Sequence, residues 1–295
     1  MSSEILGSII PFAEQDEFFA ETFGKKACQL KKSFLCEEAR SMSFLEMIQL
    51  IEARAHLFNH ANSHGESSRD LPSIKLVKDL QIIDSGLTLA RGINQAGESY
   101  YAININNIKN LVEQGSTLII NSIYKLIPVI HDRVRQLENI LGCECSLNLY
   151  YTPAHSQGFP THWDDHDVFI FQIGGSKSWF VGGAAGLEPH RHQKMPATDL
   201  GAVGLMEHFM LRHGEALYIP RGYWHHAKAE GEESLHLTLG IHLPTLSERI
   251  AQICLSNFDL DCFRRRYAPK PMQLLGLTNN KRVIEEVIAH LKDLI

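Results

Sequence analysis

No stretch of this 295-residue chain approaches the ~18 consecutive apolar residues that a membrane-spanning helix needs. The opening "MSSEILGSIIPFAEQDEFF" has an early glutamate, Glu4, and no basic lead, so a secretory signal is not expected. Cysteine is sparse and scattered, at positions 28, 36, 143, 145, 254 and 262. Only Cys143 and Cys145 lie close together, and the absence of any Cys-x-x-Cys pair argues against a zinc ribbon or a small disulfide scaffold. Reduced thiols in a cytoplasmic protein are the expectation. Neither sign of charge dominates: 28 basic residues stand against 34 acidic ones, a net −6 that gives no general attraction to nucleic acid or membranes. There is no internal repeat and no low-complexity segment. What the chain has in excess is histidine, sixteen in all, eleven of them between His155 and His242.

The first half reads as mixed and mainly helical. "DEFFAETFGKKACQL" opens with acidic residues suited to a first helical turn, and "SFLEMIQLIEARAHLF" carries apolar residues at helical spacing. Residues 59–73 have turn composition. "NINNIKNLVEQGSTLIINSI" predicts a short helix, a stop at Gly115 and a buried strand. An amphipathic helix follows on Ile127, Ile130, Val134, Leu137 and Leu141, with Pro128 in its first turn and Gly142 closing it. From Cys143 the texture changes to short strand-like runs, "CECSLNLYY", "DVFIFQI", "KSWFVG", "EALYIP" and "SLHLTLGIH". That pattern predicts a sandwich or barrel with helices packed outside. "IFQIGGSKSWFV" predicts a hairpin turning at Gly174-Gly175-Ser176. Helical patterning returns in "LSERIAQICL" and "KRVIEEVIAHLKDLI".

"THWDDHDVF", residues 161–169, concentrates the chemistry. Read as a strand, it projects His162 and Asp164 to one face and Asp165 and Asp167 to the other. An imidazole beside a carboxylate in a barrel interior needs one further ligand to complete a two-histidine, one-carboxylate set, which suits non-haem Fe(II). Zn(II) accepts the same donors. The third candidate lies in "IPRGYWHHA", where a Pro-Arg-Gly turn delivers His225 and His226 about sixty residues later. Adjacent strand residues face opposite sides, so only one of the two can join the set. Lys177 follows the glycine pair among Phe, Ile and Trp. Facing inward it requires a counter-charge, such as a cosubstrate carboxylate; facing outward its stem would lie over Trp179.

"NLYYTPAHSQGFPTHWDDHDVFIFQIGGSKSWFV" and "GEALYIPRGYWHHAKAEGEESLHLTLGIH" resemble the JmjC-type ribosomal oxygenases of the cupin superfamily, Fe(II)- and 2-oxoglutarate-dependent protein hydroxylases. The resemblance implies an α+β fold built on a double-stranded β-helix. It implies an oxygenase domain over 1–245 with its barrel at about 117–243, and a helical segment at 246–295 that serves dimerisation. It further implies that His162, Asp164 and His225 ligate iron and that Lys177 pairs with the far carboxylate of 2-oxoglutarate. Asn148 is implied as a polar contact in that pocket, Tyr150 as a substrate-side residue, and His226 as an outer-face residue. The cofactors implied are Fe(II), 2-oxoglutarate and O2. The partner implied is a protein or peptide, with an arginine or histidine side chain of a ribosomal protein as target, acted on by a homodimer; the charge balance and the lack of a long apolar run separately predict no direct nucleic-acid or membrane binding. Two departures stand out: Gly240 replaces a serine found after "LHLTL" in several members, and about fifty residues after the barrel leave no room for the family's winged helix.

Other readings use the same residues. A peptide natural product or small molecule is an alternative substrate. A hydrolase or isomerase cupin would keep the triad without Lys177, and a non-catalytic binding module would be expected to have lost a ligand. "HRHQKM", residues 190–195, reads as a solvated loop and "FRRRYAPK" as surface charge at a helix end. His236, Thr238 and His242 alternate on one strand. His236 is the one carried forward as a candidate at the pocket, while Trp224 and Phe169 read as core.

Overall fold

A period-two alternation along four strands decides where the core ends and the cavity begins. The computed structural model describes residues 9–30, 43–58, 72–83, 88–93, 99–186 and 203–257, with isolated residues between and beyond them. In chain order the elements are α1 (Gln15–Glu21), β1 (Cys28–Leu30), α2 (Phe44–Ala53), α3 (Ala55–Phe58), β2 (Ser73–Lys78), β3 (Gln81–Ile82), β4 (Leu89–Ile93) and β5 (Ser99–Ile103). There follow α4 (Ile105–Glu113), β6 (Thr117–Asn121), α5 (Pro128–Leu141), β7 (Glu144–Thr152), β8 (Asp167–Ala184), β9 (Glu207–Arg212), β10 (Ala216–Ile219), β11 (Tyr223–Lys228), β12 (Ser234–His242) and α6 (Leu246–Ser256).

The helix boundaries follow local chemistry. Ser43 caps α2 through Glu46 N while the Glu46 carboxylate accepts from Ser43 N, a complete capping box. Pro128 occupies the first turn of α5, where its missing N–H costs nothing, and Gly142 ends the helix in the left-handed region at φ 66°.

Among the described residues every strand pairing is antiparallel. The large sheet runs β1-β10-β8-β12-β7-β6-β2-β3, and β9 and β11 flank the second half of β8. Leu118 and Ile120 of β6, Leu147 and Leu149 of β7, Phe169 and Phe171 of β8, and Leu237 and Leu239 of β12 all enter one helix-covered core. The intervening residues, Ile119, Asn148, Ile170 and Thr238 among them, face the barrel cavity. A second apolar cluster, from Val168 and Ile170 to Trp179, Leu211, Leu217 and Ile219, fills the barrel beside that cavity.

The hairpin expected at Gly174-Gly175-Ser176 is absent. β8 is one continuous 18-residue strand that changes partners there. Residues before the glycines pair with β10 and β12, and residues after them pair with β9 and β11. Gly175 allows this because its φ is +59° and a Cβ there would lie 1.8 Å from the Glu233 carbonyl oxygen. The glycine pair thus serves a bend between two sheets and a close backbone approach.

The chain divides into two compact units, Met1–Leu243 and Pro244–Ile295. In the second, Thr245 and Glu248 form a capping box at the start of α6, and the further described residues at 287–289 and 291–292 are helical. Val283, Leu294, the 190–195 motif and most of "FRRRYAPK" lie outside the described residues. Trp224 is buried with Trp163 and Val203 in a small separate cluster, and Phe169 sits in the main core. Among the described residues no helix is long and apolar enough to cross a membrane.

Candidate active site

His162 and His225 face each other across an isolated antiparallel bridge and exchange both backbone hydrogen bonds, at 3.0 and 2.7 Å. Directly opposed residues project to the same side, which brings their ring centroids to 4.3 Å. Asp164 Oδ2 lies 3.5 Å from His225 Nε2. One donor atom from each of the three residues falls within 4.8 Å of the others.

Both imidazoles are oriented by the backbone. His162 Nδ1 meets Pro160 O at 2.8 Å, and His225 Nδ1 meets Tyr223 O at 2.9 Å. A carbonyl only accepts, so each Nδ1 carries the hydrogen and each Nε2 is left with its lone pair. Burial, and then the neighbouring His162 ring, pull His225 down to about 4, which keeps it neutral. Burial works to raise the Asp164 carboxyl, but His166, His225 and His162 outweigh it and hold it below the usual carboxylate range. The site therefore presents two imidazole Nε2 atoms and one carboxylate, a donor set suited to a divalent transition metal.

The route to this arrangement differs from the expected strand. β8 begins only at Asp167, and His162 belongs to a bridge followed by bends. Asp165 and Asp167 consequently do not share a face: Asp165 accepts from His166 Nδ1 at 2.8 Å, while buried Asp167 accepts from Tyr218 Oη and from Arg221 N. The Pro220-Arg221-Gly222 turn fixes the opposite side. Gly222, at φ +79°, donates its N–H to Asp164 O at 2.9 Å, and a Cβ there would lie 2.5 Å from Pro189 Cδ.

Lys177 points inward. It is 4% exposed, and its Nζ donates to Thr152 Oγ1 at 2.8 Å, which in turn adjoins Thr117 Oγ1 at 3.2 Å. It lies 5.9 Å from the centre of the Trp179 ring. No carboxylate among the described residues pairs with it, and burial pulls its ammonium down to about 7. His236, 2% exposed, stacks on Tyr150 with centroids 4.8 Å apart and planes within 3°. His236 Nδ1 and Trp179 Nε1 are buried without a partner. Asn148 Oδ1 accepts from Ser122 N at 3.0 Å.

All seven sequence candidates, His162, Asp164, His225, Lys177, Asn148, Tyr150 and His236, line one cavity of about 490 Å3. His226 turns to the other side of β11, where it stacks on Phe180 at 4.9 Å and meets Thr161 Oγ1 at 3.1 Å, although it still borders the cavity. Sequence reasoning missed Thr152 and Thr117, which hold Lys177, and did not place Trp179 in the pocket. The signal for Thr152 was present, since Ser146, Asn148, Tyr150 and Thr152 occupy alternate positions along β7.

Comparison with known proteins gives the same picture. Residues 125–249 match the JmjC domain family model. A 132-residue stretch is 37% identical to the bifunctional lysine-specific demethylase and histidyl-hydroxylase NO66 of Brugia malayi, covering 41% of this chain and 18% of that protein. Ribosomal oxygenase 2 of Mus musculus is 36% identical over 110 residues, 36% of this chain and 23% of that protein. The chain spans less than a third of the length of the curated relatives it matches. Among solved structures, Escherichia coli ycfD superposes with a TM-score of 0.56 at 17% identity, covering 94% of this chain and 67% of that one. A structure of YcfD in complex with cobalt and 2-oxoglutarate gives 0.53 at 18% identity, covering 93% and 66%. The barrel, the JmjC domain model matched over residues 125–249 and these relatives agree, and the chain is similar to the JmjC-type ribosomal oxygenases.

Proposed function

We propose that this protein is an Fe(II)- and 2-oxoglutarate-dependent oxygenase that hydroxylates a protein side chain. The observation that carries the reading is the pairing of two receptors in one cavity. His162, Asp164 and His225 offer the donors for Fe(II). Lys177, with no counter-charge among the described residues, stands beside the unpartnered nitrogens of His236 and Trp179 and offers a receptor for a carboxylate. A hydrolase or isomerase cupin needs the first receptor and has no use for the second. Iron and 2-oxoglutarate bound there supply O2 activation coupled to loss of CO2, which puts one oxygen atom into a substrate C–H bond and leaves succinate.

The chain's own residues supply position and exclusion. Pro160 O and Tyr223 O hold the two imidazoles in the tautomer that ligates. Lys177, steadied by Thr152, fixes the far end of the cosubstrate. Trp179, Val168 and Ile170 give the cavity an apolar wall that keeps bulk water away from the metal side. Asn148 faces the same cavity and is assigned to the cosubstrate, while Tyr150 and His236 are assigned to the substrate side.

The substrate assigned is a ribosomal protein, through an arginine or histidine side chain, in keeping with the relatives named ribosomal oxygenases. Residues 1–245 are assigned as the oxygenase domain and 246–295 as a homodimerisation segment in a cytoplasmic protein that does not bind nucleic acid directly. Exposed Leu246 and Leu255 on α6 favour such an interface, and a net charge of −6 disfavours nucleic acid. Incubating the iron-loaded protein with 2-oxoglutarate, O2 and peptides from a cell lysate tests the reading by mass spectrometry. Peptides heavier by one oxygen atom are expected, and their absence alongside unconsumed 2-oxoglutarate would overturn it.

A further inference from the structure

We propose that Asp165, His166 and His242 form a second divalent-metal site, adjoining the His162/Asp164/His225 set but sharing no residue with it. One donor atom from each of these three residues lies within 4.8 Å of the others. The two imidazole centroids are 4.1 Å apart, close to the 4.3 Å of the first histidine pair. Asp165 Oδ1 sits 2.8 Å from His166 Nδ1, and Ser146 Oγ sits 3.0 Å from His242 Nε2. All three residues are half-buried, so a hydrated ion can reach them while most of its shell is replaced.

Gly240 is the second, independent observation. It is not among the glycines at positive φ, so no backbone conformation demands it. A Cβ there would lie 2.6 Å from Ser146 Oγ, 2.7 Å from His166 Cδ2 and 2.8 Å from His166 Nε2. The strand leaves out a side chain at the one place where an imidazole from the segment before β8 must lie across it. His166, Ser146 and Gly240 also line the cavity, which opens the site to solutes. Two imidazoles and a carboxylate suit a borderline divalent ion such as Zn(II). Three protein donors leave a fourth position for water, with the Ser146 hydroxyl close by.

Equilibrium dialysis of the full chain against zinc alone, with bound metal counted by mass spectrometry, tests the proposal without any activity assay. The wild type should hold two equivalents. His225→Ala and His242→Ala should each hold one, and the double variant should lose tight binding of both. Gly240→Ser gives a second, milder variant: its side chain displaces His166, so it should retain the first equivalent and bind the second at least tenfold more weakly. Circular dichroism identifies any variant that fails to fold, and the Gly240→Ser result then decides. A single equivalent in the wild type, or two tight equivalents in both His242→Ala and Gly240→Ser, would overturn the proposal.

Discussion

Replacing Lys177 by methionine should make the empty protein more stable while destroying its hold on 2-oxoglutarate. The ammonium has no counter-charge among the described residues, and burial takes it from 10.5 to about 7. In the window between those values the unfolded chain binds more protons than the folded one, so wild-type stability rises with pH from about 7 to about 10.5. The full interval corresponds to about 5 kcal/mol, of which about 4 kcal/mol applies at pH 7. Methionine removes that penalty, fills a similar volume, and loses the bond to Thr152, which costs about 1 kcal/mol. The expected net gain is on the order of 3 kcal/mol at neutral pH, falling to about zero near pH 10. Urea unfolding of the metal-free protein at several pH values measures it. Calorimetric titration of the metal-loaded variant should show the opposite sign, with 2-oxoglutarate bound about 100- to 1000-fold more weakly because one partner of a buried charge pair is gone. A variant no more stable at pH 7, or an unchanged cosubstrate affinity, would refute the reasoning.

The two adjacent histidines should separate cleanly: His225→Ala abolishes tight iron binding and turnover, whereas His226→Ala keeps both and costs about 1 kcal/mol of stability through the lost Thr161 bond and Phe180 stack. Metal titration of the two variants checks this, and the reverse pattern would contradict the orientation of β11. Gly175→Ala should destabilise the fold by about 3 kcal/mol or more, because its methyl meets the Glu233 carbonyl at 1.8 Å and its φ is +59°; a thermal midpoint equal to wild type would contradict the strand crossing. Light scattering at micromolar concentration should return twice the 33.3 kDa chain mass, and a monomer mass would remove the dimer assignment.

The parts of this protein that were legible in sequence are those where one local rule governs. α5 was readable from Pro128, Gly142 and its apolar spacing, and β7 and β12 from their alternation, which also set Asn148, Tyr150 and His236 on the cavity side. The errors came where tertiary contact overrides a local motif. Gly174-Gly175 has the composition of a hairpin turn, yet the approach of Glu233 O uses it to bend a continuous strand. His162 and Asp164 converge as expected, but through a bridge and a bend, so the face assigned to Asp165 and Asp167 did not survive. The threonines under Lys177 come from two strands that only the folded sheet brings together.

One cavity is proposed to hold both iron and 2-oxoglutarate for O2 chemistry. Conversion of 2-oxoglutarate to succinate by the purified chain with Fe(II) and O2, followed by NMR in the presence of ribosomal-protein peptides, tests it most directly. Succinate is expected from the wild type and none above background from His225→Ala. Wild-type protein that binds iron stoichiometrically yet leaves 2-oxoglutarate as intact as the His225→Ala variant does would contradict it.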